Sequence, residues 1–313
     1  MISPSIVTVT PNPSVDRTLR IPPLERGSVL RAASATAEAG GKGINVSRAL
    51  LTQGVPTTAV VPLSASSAAL LGELLGPGWP LEQVVIDGDI RVNISLVEAD
   101  GTVTKVNEPG PPLGDANVTA LVDRVIALAD GAAWVVGCGS LPPGAPADLY
   151  ARIAARLPTG ARMAVDAEGA ALRACRGQPV ALLKPNRIEL AGLVGRDLDT
   201  LGEVVDAARE VLRDGAASIL VSLGADGALL VDERTATHAG ARIDDAVNPV
   251  GAGDALLAGF LAGGATLAAL PTAVAWSVAA CRSTGTRMRP VTDADCAAVV
   301  VHDTLDLGRR LQA

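Results

Sequence analysis

The sequence predicts an α/β protein with a doubly wound, mostly parallel sheet, helices on both faces and a small β-sheet lid. Short runs rich in valine, isoleucine and leucine alternate along the chain with longer segments of helical period. This alternation is typical of parallel strands joined by crossover helices, and the unbroken apolar character of the runs indicates that both sheet faces are covered. Two further regions alternate polar and apolar residues around glycine turns, as antiparallel ribbons do.

The elements of the main sheet follow from this alternation in chain order. The strands are predicted at residues 6–10, 57–62, 134–137, 163–166, 180–184 and 218–222. The helices between them are predicted at residues 43–53, 65–75, 116–129, 148–157, 186–194 and 201–214. A further apolar helix is predicted to start at Asp254.

The two ribbons, at residues 15–38 and 90–107, are predicted to form the lid. The second alternates from Arg91 to Glu98 and turns at Asp100 and Gly101. Ligands of open α/β sheets bind at the carboxyl ends of the strands, so a small sheet placed there would exclude water. We therefore expect a single domain, residues 1–313, with lid insertions at approximately 13–38 and 88–108.

Composition excludes several classes of protein. The chain has 313 residues, 49% of them hydrophobic, and a formal net charge of -7, so it lacks the basic surface of a nucleic-acid binder. The N-terminus has no basic segment followed by an apolar one, and no apolar run has the length of a membrane helix. We expect a soluble cytoplasmic protein. The four cysteines lack C-x-x-C spacing, which predicts buried free thiols and neither a structural zinc nor a disulfide framework.

One glycine-rich segment carries a possible chemistry. Residues 248–254 bring glycines and the carboxylate of Asp254 to the start of an apolar helix, where backbone amides and the helix dipole favour a phosphate. Taken alone, the segment is more often a helix cap. It also lacks the two common nucleotide-binding fingerprints, because Leu256 stands where Gly-x-Gly-x-x-Gly requires glycine and no Gly-x-x-x-x-Gly-Lys-Ser/Thr occurs.

The lysines are few and unusually placed. Of 26 basic residues only three are lysine, Lys42, Lys105 and Lys184. Lys42 lies in a glycine-rich segment and Lys184 ends an apolar strand, so both are candidate phosphate contacts, because a lysine is a compact point charge. For Lys105 we expect a solvated position on the lid.

Polar residues also gather where five predicted strands end. These groups are Asn12 to Asp16, Gly137 to Gly144, Asp166, Lys184 to Glu189, and Ser222 to Gly227. Each alone is typical of a turn or a helix cap. Since the carboxyl ends of parallel strands meet at one edge of the sheet, the five groups together predict a binding site there.

The motifs resemble those of the ribokinase-like sugar kinases of the phosphofructokinase B group, over essentially the whole chain. The matching motifs are Asn12 to Asp16, Gly40 to Val46, Gly139 to Gly144, Lys184 to Glu189, Ser222 to Gly224 and Val250 to Asp254. The subgroup they most resemble phosphorylates hexose phosphates and includes 1-phosphofructokinase and tagatose-6-phosphate kinase. The resemblance implies ATP and Mg²⁺ as cofactors.

The resemblance also implies residue roles. On the catalytic and nucleotide side, Asp254 would be the general base, and the amides of Gly251, Ala252 and Gly253 would hold the transferred phosphoryl group. Asn186 and Glu189 would hold Mg²⁺ through water, Lys184 would contact a phosphate, and Ser222, Gly224 and Gly227 would bind the nucleotide. On the acceptor side, the resemblance assigns sugar binding to Asp16, Gly41, Lys42 and Asn45. It assigns contacts with the phosphate of the acceptor to Arg91 and Asn93, with Ser140 nearby.

The resemblance favours fructose 1-phosphate as the acceptor, with tagatose 6-phosphate and fructose 6-phosphate as alternatives. The Arg91-x-Asn93 spacing favours fructose 1-phosphate, whereas Asn248-Pro249 is more similar to tagatose-6-phosphate kinases, and Ser95 replaces a lysine of several 1-phosphofructokinases. A 6-phosphofructokinase or a kinase of unphosphorylated sugars or nucleosides would use the same fold, and Lys42 and Arg91 count against the latter. A non-catalytic sugar-phosphate sensor is the alternative from another class, and a dehydrogenase lacks its fingerprint. Exposed lid edges predict a homodimer through the lid.

Overall fold

The structure is a computed structural model that describes residues 5–285, 287–302 and 304–312. Residues 1–4, which form part of the N-terminal segment considered for targeting, lie outside the described residues. Within the described ranges no helix combines the length and the apolar character that crossing a membrane requires.

The main sheet has ten strands in the described residues, with the order β14-β13-β12-β11-β10-β9-β8-β1-β4-β5. Its strands are β1 (Ser5–Val9), β4 (Thr57–Leu63), β5 (Leu81–Val85), β8 (Ala132–Cys138), β9 (Arg162–Asp166), β10 (Leu182–Leu183), β11 (Ser218–Ser222), β12 (Ala228–Asp232), β13 (Ala236–Ala241) and β14 (Val299–His302). Strands from β11 to β5 pair in parallel, which confirms the predicted doubly wound sheet. β12, β13 and β14 extend one edge by antiparallel pairing.

Helices cover both faces of this sheet. They are α1 (Lys42–Thr52), α2 (Ala65–Leu75), α3 (Asp115–Leu128), α4 (Leu149–Arg156), α5 (Gly169–Arg173), α6 (Arg187–Val194), α7 (Leu201–Leu212), α8 (Ala252–Ala262), α9 (Leu270–Cys281) and α10 (Asp293–Ala297). The largest apolar cluster packs helices α3 to α7 against one face. A second cluster packs α1, α8 and α9 against the other, so the continuous apolar strands are buried on both sides as expected.

Several elements were not predicted, and their sequences explain why. α9 is apolar around its circumference, with eight of its twelve residues buried, so it lacks the one-sided period by which a surface helix is recognised. β12 and β13 form a hairpin at the edge of an otherwise parallel sheet. The alternation of strands and crossover helices does not predict such a hairpin. The strand predicted at 180–184 comprises only two residues in the structure, although the flanking amides of Ala181 and Lys184 still donate to the Met163 and Val165 carbonyls of β9, both at 2.9 Å.

The predicted small sheet is present and has the order β3-β2-β6-β7. Its strands are β2 (Ser14–Arg20), β3 (Ser34–Gly40), β6 (Arg91–Val97) and β7 (Val103–Asn107). The pairs β2/β3 and β6/β7 are antiparallel, as the ribbon pattern predicts. The two ribbons join through β2 and β6, which run in parallel with Asp16 opposite Asn93. We call these four strands the lid sheet.

The lid sheet is connected by a short segment to the carboxyl edge of the main sheet. β2 begins five residues after β1 ends, and β3 leads straight into α1. Gly43 at the start of α1 lies so close to β1 that an added Cβ would come within 3.3 Å of the Val9 carbonyl oxygen. The close approach anchors α1 against the strand end, so the residues of α1 and the lid sheet face the same edge.

Free thiols are found at all four cysteines, but not all four are buried. Cys138 and Cys175 are buried, Cys281 is half-buried and Cys296 is exposed. The prediction of four buried thiols was therefore wrong for Cys281, at the end of α9, and for Cys296, which lies on the short helix α10 at the protein surface.

A buried carboxylate secures the C-terminal part of the fold. Asp295, which is fully buried, accepts hydrogen bonds from Arg282 at 2.8 Å, from Arg289 at 2.7 and 2.8 Å, and from the amide and hydroxyl of Thr292 at 2.8 Å each. Burial opposes its ionisation, but the bonds from Arg289, Thr292 and Arg282 hold the pKa of Asp295 well below its ordinary value. The ion pairs connect the end of α9 to α10.

We predict that Asp295→Asn lowers the free energy of unfolding by about 3 kcal/mol at pH 7, because it leaves two arginines without their buried partner. Since the folded-state pKa is depressed, the wild-type contribution is present above about pH 4 and is lost as the pH falls through the folded value. Urea denaturation of both proteins between pH 7 and pH 3 measures the difference, which should shrink at the acid end.

The matched control is Asp293→Asn on the same helix, because Asp293 is exposed. Its loss should cost less than about 1 kcal/mol, the typical value for an acid in the first turn of a helix. Equal losses for the two variants would show that the buried ion pairs contribute no more than the helix dipole does.

Candidate active site

Asp254 lies at the third position of α8, and its carboxylate is not used to cap that helix. The cap residue is Gly251, whose φ of 82° lies in the left-handed region that glycine tolerates. Asp254 is 8% exposed, and its Oδ2 accepts a hydrogen bond from Asn45 Nδ2 at 2.9 Å. The interpretation of Asp254 as a simple helix cap is therefore wrong, because a residue of α1 holds the carboxylate.

The turn before α8 forms a candidate anion cradle. The first amides of a helix have no acceptor within it and carry the positive end of the helix dipole. Ala252 is partly used already, since its amide donates to the Pro249 carbonyl at 3.2 Å. At Gly253 an added Cβ would lie 3.6 Å from Lys184 Nζ, so the cradle sits beside an ammonium group. An anion held here would meet both backbone amides and Lys184.

A buried ion-pair network lies under this cradle. Asp166, at the end of β9, is 0% exposed, and its Oδ1 lies 2.8 Å from Lys42 Nζ. Its Oδ2 lies 2.9 Å from Lys184 Nζ. Burial alone would raise the pKa of Asp166, but Lys184 and Lys42 hold it below its ordinary value. The sequence marked Asp166 only as a polar strand end, and the structure adds it to the site.

Lys42 connects this network to Glu189. The Lys42 ammonium lies 3.7 Å from Glu189 Oε1, and its side chain is 34% exposed. Burial opposes its charge, but the carboxylates of Asp166 and Glu189 raise the pKa of Lys42 above its ordinary value. Lys42 therefore stays protonated and presents a positive charge at the strand ends.

The electrostatics of Asp254 suit proton transfer. Burial and, next, the negative charge of Asp166 raise the pKa of Asp254 to about 6, against the opposing effects of Lys42 and the bond from Asn45. A carboxylate with a pKa near neutrality accepts a proton more readily than an ordinary one and is still ionised above pH 6. Asp254 therefore has the properties of a general base.

Asn186 and Glu189 form a capping box at the start of α6. The Glu189 amide donates to Asn186 Oδ1, and the Asn186 amide donates to Glu189 Oε2, both at 2.8 Å. The cap leaves Glu189 Oε1 facing Lys42. Among the described residues no three His, Cys, Asp or Glu side chains gather as a metal cage. The capping box leaves only one carboxylate oxygen, Glu189 Oε1, near a possible metal. This fits Mg²⁺ held through water, since this ion keeps several waters and takes substrate phosphates as ligands.

A cavity of about 590 Å³ opens on the other side of the α8 turn. Four of the predicted residues line it, Asn186, Ser222, Gly224 and Gly227, and Ala252 and Gly253 form its wall. An isolated β-bridge between Asn186 and Ser222 keeps the first two adjacent. The remaining lining residues are Ala225, Ala241, Arg242, Ile243, Ala246, Pro249, Leu256, Val274, Ser277, Val278, Cys281 and Gln312.

Sequence reasoning missed most of this lining. Leu256, Val274 and Val278 come from α8 and α9, and as ordinary apolar helix residues they carry no signal of binding. Their exposure to a cavity depends on how the two helices pack. The mixture of an apolar wall with a few polar groups at one end is typical of small-molecule sites.

The lid sheet presents a polar cradle. Asn93 Nδ2 donates to Asp16 Oδ1 at 2.9 Å and to Ser14 Oγ at 3.0 Å, and Ser14 Oγ donates to Asp16 Oδ1 at 2.7 Å. At Gly40 an added Cβ would collide with the Asp16 carboxylate, so a larger residue there would displace this carboxylate from its present position. The predicted residues Asp16 and Asn93 thus lie together, and Ser14 is an addition.

Arg91 and Ser140 reach the same cradle through Asn12. The Arg91 guanidinium donates to the Asn12 carbonyl at 3.0 Å and to the Glu108 carbonyl at 3.4 Å. Asn12 Nδ2 lies 3.5 Å from Ser140 Oγ. Asn12 Oδ1, Arg91 Nε and Asn93 Oδ1 are buried without a hydrogen-bond partner. Such atoms are rare in native proteins, and three of them in one cradle indicate a polar ligand.

The structure thus brings the predicted residues into two groups that meet at Asp254. Gly41, Lys42 and Asn45 lie at the start of α1, between the lid cradle and the ion-pair network. Lys105, for which we predicted a solvated position, is exposed on β7.

The chain is similar to proteins of a known family. Residues 10–290 match the family model described as pfkB family carbohydrate kinase. A 1-phosphofructokinase of Rhodobacter capsulatus is 36% identical over 260 residues, which cover 82% of each chain. A 1-phosphofructokinase of Haloferax volcanii is 38% identical over 259 residues, covering 82% of this chain and 83% of that protein.

A solved structure supports the same assignment. The phosphofructokinase-2 of Escherichia coli in complex with fructose-6-phosphate has a TM-score of 0.81 and 30% identity, covering 95% of this chain and 97% of that chain. The predicted resemblance is confirmed: the chain belongs to the pfkB family of carbohydrate kinases.

Proposed function

We propose that the protein is an ATP-dependent 1-phosphofructokinase, which transfers the γ-phosphoryl group of ATP to the C6 hydroxyl of fructose 1-phosphate. The observation that carries this proposal is the position of Asp254 in the first turn of α8. It directly follows Ala252 and Gly253 of the cavity wall, and it is bonded to Asn45 of α1, the helix that follows lid strand β3. A base beside an anion cradle, with a pocket on either side, is the arrangement that phosphoryl transfer between two substrates requires.

In this proposal the nucleotide occupies the cavity and its phosphates point to the α8 turn. The amides of Gly251 and Gly253 and the Lys184 ammonium stabilise the transferred group, and Ala252 joins them if it releases its bond to Pro249. Mg²⁺, held through water by Asn186 and Glu189, neutralises phosphate charge when bound. Because ATP is an intracellular metabolite, this function belongs to the cytoplasm.

The acceptor sugar lies in the lid cradle with its reacting hydroxyl directed at Asp254. The Asp16 carboxylate binds sugar hydroxyls, and Asn45 and the backbone of Gly41 border the reacting end. Asp254 takes the proton of the hydroxyl as the phosphoryl group arrives, since the transition state of such reactions is loose. Arg91, Asn93 and Ser140 lie at the far end of the cradle, where a phosphate already on the sugar would bind.

Fructose 1-phosphate is favoured as the acceptor because the curated relatives at 36% and 38% identity are 1-phosphofructokinases. Fructose 6-phosphate is a second candidate, because the similar Escherichia coli structure contains that sugar. Both acceptors place a phosphate at one end and a primary hydroxyl at the other, so the same cradle suits either one.

We predict that a coupled ADP-release assay gives the highest kcat/KM with fructose 1-phosphate, at least about tenfold above tagatose 6-phosphate, fructose 6-phosphate, fructose and ribose. The control is Asp254→Asn, which keeps the side-chain volume and removes the base. It should lower kcat by about 10² to 10⁴ while ATP still binds. A preference for fructose 6-phosphate would overturn the acceptor, and binding without turnover by the wild type would favour a sensor.

We predict that Arg91→Ala raises KM for the phosphorylated sugar by about tenfold or more and leaves KM for ATP unchanged, because a guanidinium–phosphate contact is lost. KM for unphosphorylated fructose, which lacks that contact, should rise much less. Steady-state kinetics with the three substrates measure these effects.

Lys105→Ala is the control for charge, since Lys105 is exposed on the same sheet. It should leave all three KM values near those of the wild type. An Arg91→Ala effect of equal size on fructose and fructose 1-phosphate would show that Arg91 only holds the Asn12 and Glu108 carbonyls.

We also propose a homodimer through the lid sheets. β7 is an edge strand of the lid sheet, and it exposes 50% of Val103 and 53% of Val106. Such an edge offers unpaired backbone groups and apolar area to a second copy. Sedimentation at micromolar concentration should give a dimer that Val106→Glu weakens, and a strictly monomeric wild type would contradict the proposal.

A further inference from the structure

Three side chains form a relay that ends on the Asp254 carboxylate. One amino group of the Arg48 guanidinium donates to the Ala39 carbonyl at 2.8 Å, and the other donates to Asn45 Oδ1 at 3.0 Å. Asn45 Nδ2 then donates to Asp254 Oδ2 at 2.9 Å. Arg48 and Asn45 lie three residues apart on α1 and therefore share a face of the helix.

The direction of this relay follows from the chemistry of its ends. A guanidinium has only donors, so the end of the Asn45 amide that faces Arg48 has to be its oxygen. An ionised carboxylate only accepts, so the end that faces Asp254 has to be the NH₂ group. A guanidinium on one side thus fixes an amide that would otherwise be free to present either end.

The orientation of Asn45 decides which form of Asp254 is favoured. With its NH₂ group toward Asp254, Asn45 stabilises the carboxylate, the form that accepts a proton. With its oxygen toward Asp254, it would stabilise the protonated acid, which cannot serve as a base. The bond also takes Oδ2, and within the described residues no hydrogen bond reaches Oδ1, which is left for the acceptor hydroxyl.

We propose that Arg48 is a positioning residue, which locks the Asn45 amide so that Asp254 is held ionised with Oδ1 directed at the acceptor. The direction of Oδ1 toward the acceptor rests on the proposed function. The locking of Asn45 and its effect on the ionisation of Asp254 are properties of the ligand-free protein and do not depend on that function. In this arrangement Arg48 makes no hydrogen bond to Asp254 itself, and its positioning role is exerted through Asn45.

Other charged groups around Asp254 also affect its ionisation. Asp166 at the end of β9 disfavours its ionisation, whereas Lys42 on α1 and Lys184 after β10 favour it. The Cys138 thiol of β8 also faces this group, and its pKa is raised by burial and by Asp166 and Asp254.

Arg48 itself has charged neighbours on several elements. Burial lowers the pKa of Arg48 and Arg287 acts in the same direction, whereas Glu38 on β3, Asp16 on β2 and Asp254 on α8 favour its charged form. The bond to Ala39 ties Arg48 to the last residues of β3, so the relay also joins the lid sheet to the base. Because Arg48 is positive, its charge acts on Asp254 in the same direction as its effect on Asn45, and an experiment has to separate the two.

The test compares Arg48→Gln with Arg48→Lys. Glutamine both donates and accepts, so it no longer fixes the Asn45 amide, whereas lysine remains a donor only. The titration of the Asp254 carboxyl is followed by ¹³C NMR in the ligand-free protein, with its signal assigned from Asp254→Asn. We expect the Asp254 titration of the wild type to have its midpoint at about pH 6. We expect Arg48→Gln to move it up by about one unit, a tenfold change in the ionisation constant, and Arg48→Lys to stay close to the wild type.

The same variants are then measured in an Asn45→Ala background. If Arg48 acts through Asn45, the shift caused by Arg48→Gln disappears there, by the logic of a double-mutant cycle. An unchanged shift in that background would overturn the proposal in favour of a direct charge effect. An unshifted titration with a lower melting temperature would reduce Arg48 to a structural role.

Arg17→Gln is the control for loss of a positive charge from the lid sheet, because Arg17 is exposed on β2. It should leave the Asp254 titration unchanged. In an active enzyme, the acid limb of kcat/KM against pH should move with the NMR midpoint, because the base works only when ionised. The NMR titration needs no turnover, so failure of the proposed acceptor would appear in the ADP-release assay and leave this test intact.

Discussion

The site depends on one buried carboxylate that two lysines share. Asp166 is inaccessible to solvent, and a lone carboxylate there would take up a proton rather than stay charged. Lys42 and Lys184 prevent this, at 2.8 and 2.9 Å from its two oxygens. In return Asp166 gives the two ammonium groups a shared, buried counter-ion. The two lysines come from α1 and from the end of β10, so the shared carboxylate fixes the acceptor-side helix relative to the cradle of α8.

The same carboxylate explains why Asp254 is basic enough to take a proton. Its negative charge adds to burial in raising the pKa of Asp254, while Lys42 and the Asn45 bond limit the rise. If the lysines were absent, Asp166 and Asp254 would be two nearby carboxyl groups that could not both ionise. If Asp166 were absent, the lysines would stabilise Asp254 as a weaker base. The anion-binding charges and the base are therefore parts of one electrostatic balance.

Sequence patterns predicted the turns, caps and strand ends of the site better than the apolar residues that line its cavity. The glycines and Asp254 at the start of α8, Lys42 in α1 and Asn186 before α6 were identifiable because turns, caps and strand ends require particular residue types. Asp166 was visible only as a strand end, since its meaning depends on two lysines that lie 124 residues before it and 18 residues after it along the chain. The apolar wall from α8 and α9, and Arg48 behind Asn45, depend on packing and on the direction of a side chain, which no local pattern specifies.

The proposed binding of two phosphate-bearing substrates by an acidic chain involves no contradiction, because charge acts locally and not as an average over the molecule. The net charge of -7 belongs to the whole sequence, and exposed charges are screened beyond about 8 Å at physiological salt. The Lys184 side chain beside the α8 cradle is only 4% exposed. Water and salt would therefore screen its attraction for a phosphate in the cradle far less than they screen an exposed charge. Global charge rules out a nucleic-acid surface, which has to be basic over a wide area. It places no limit on a small anion, for which a few enclosed donors beside a helix start are sufficient.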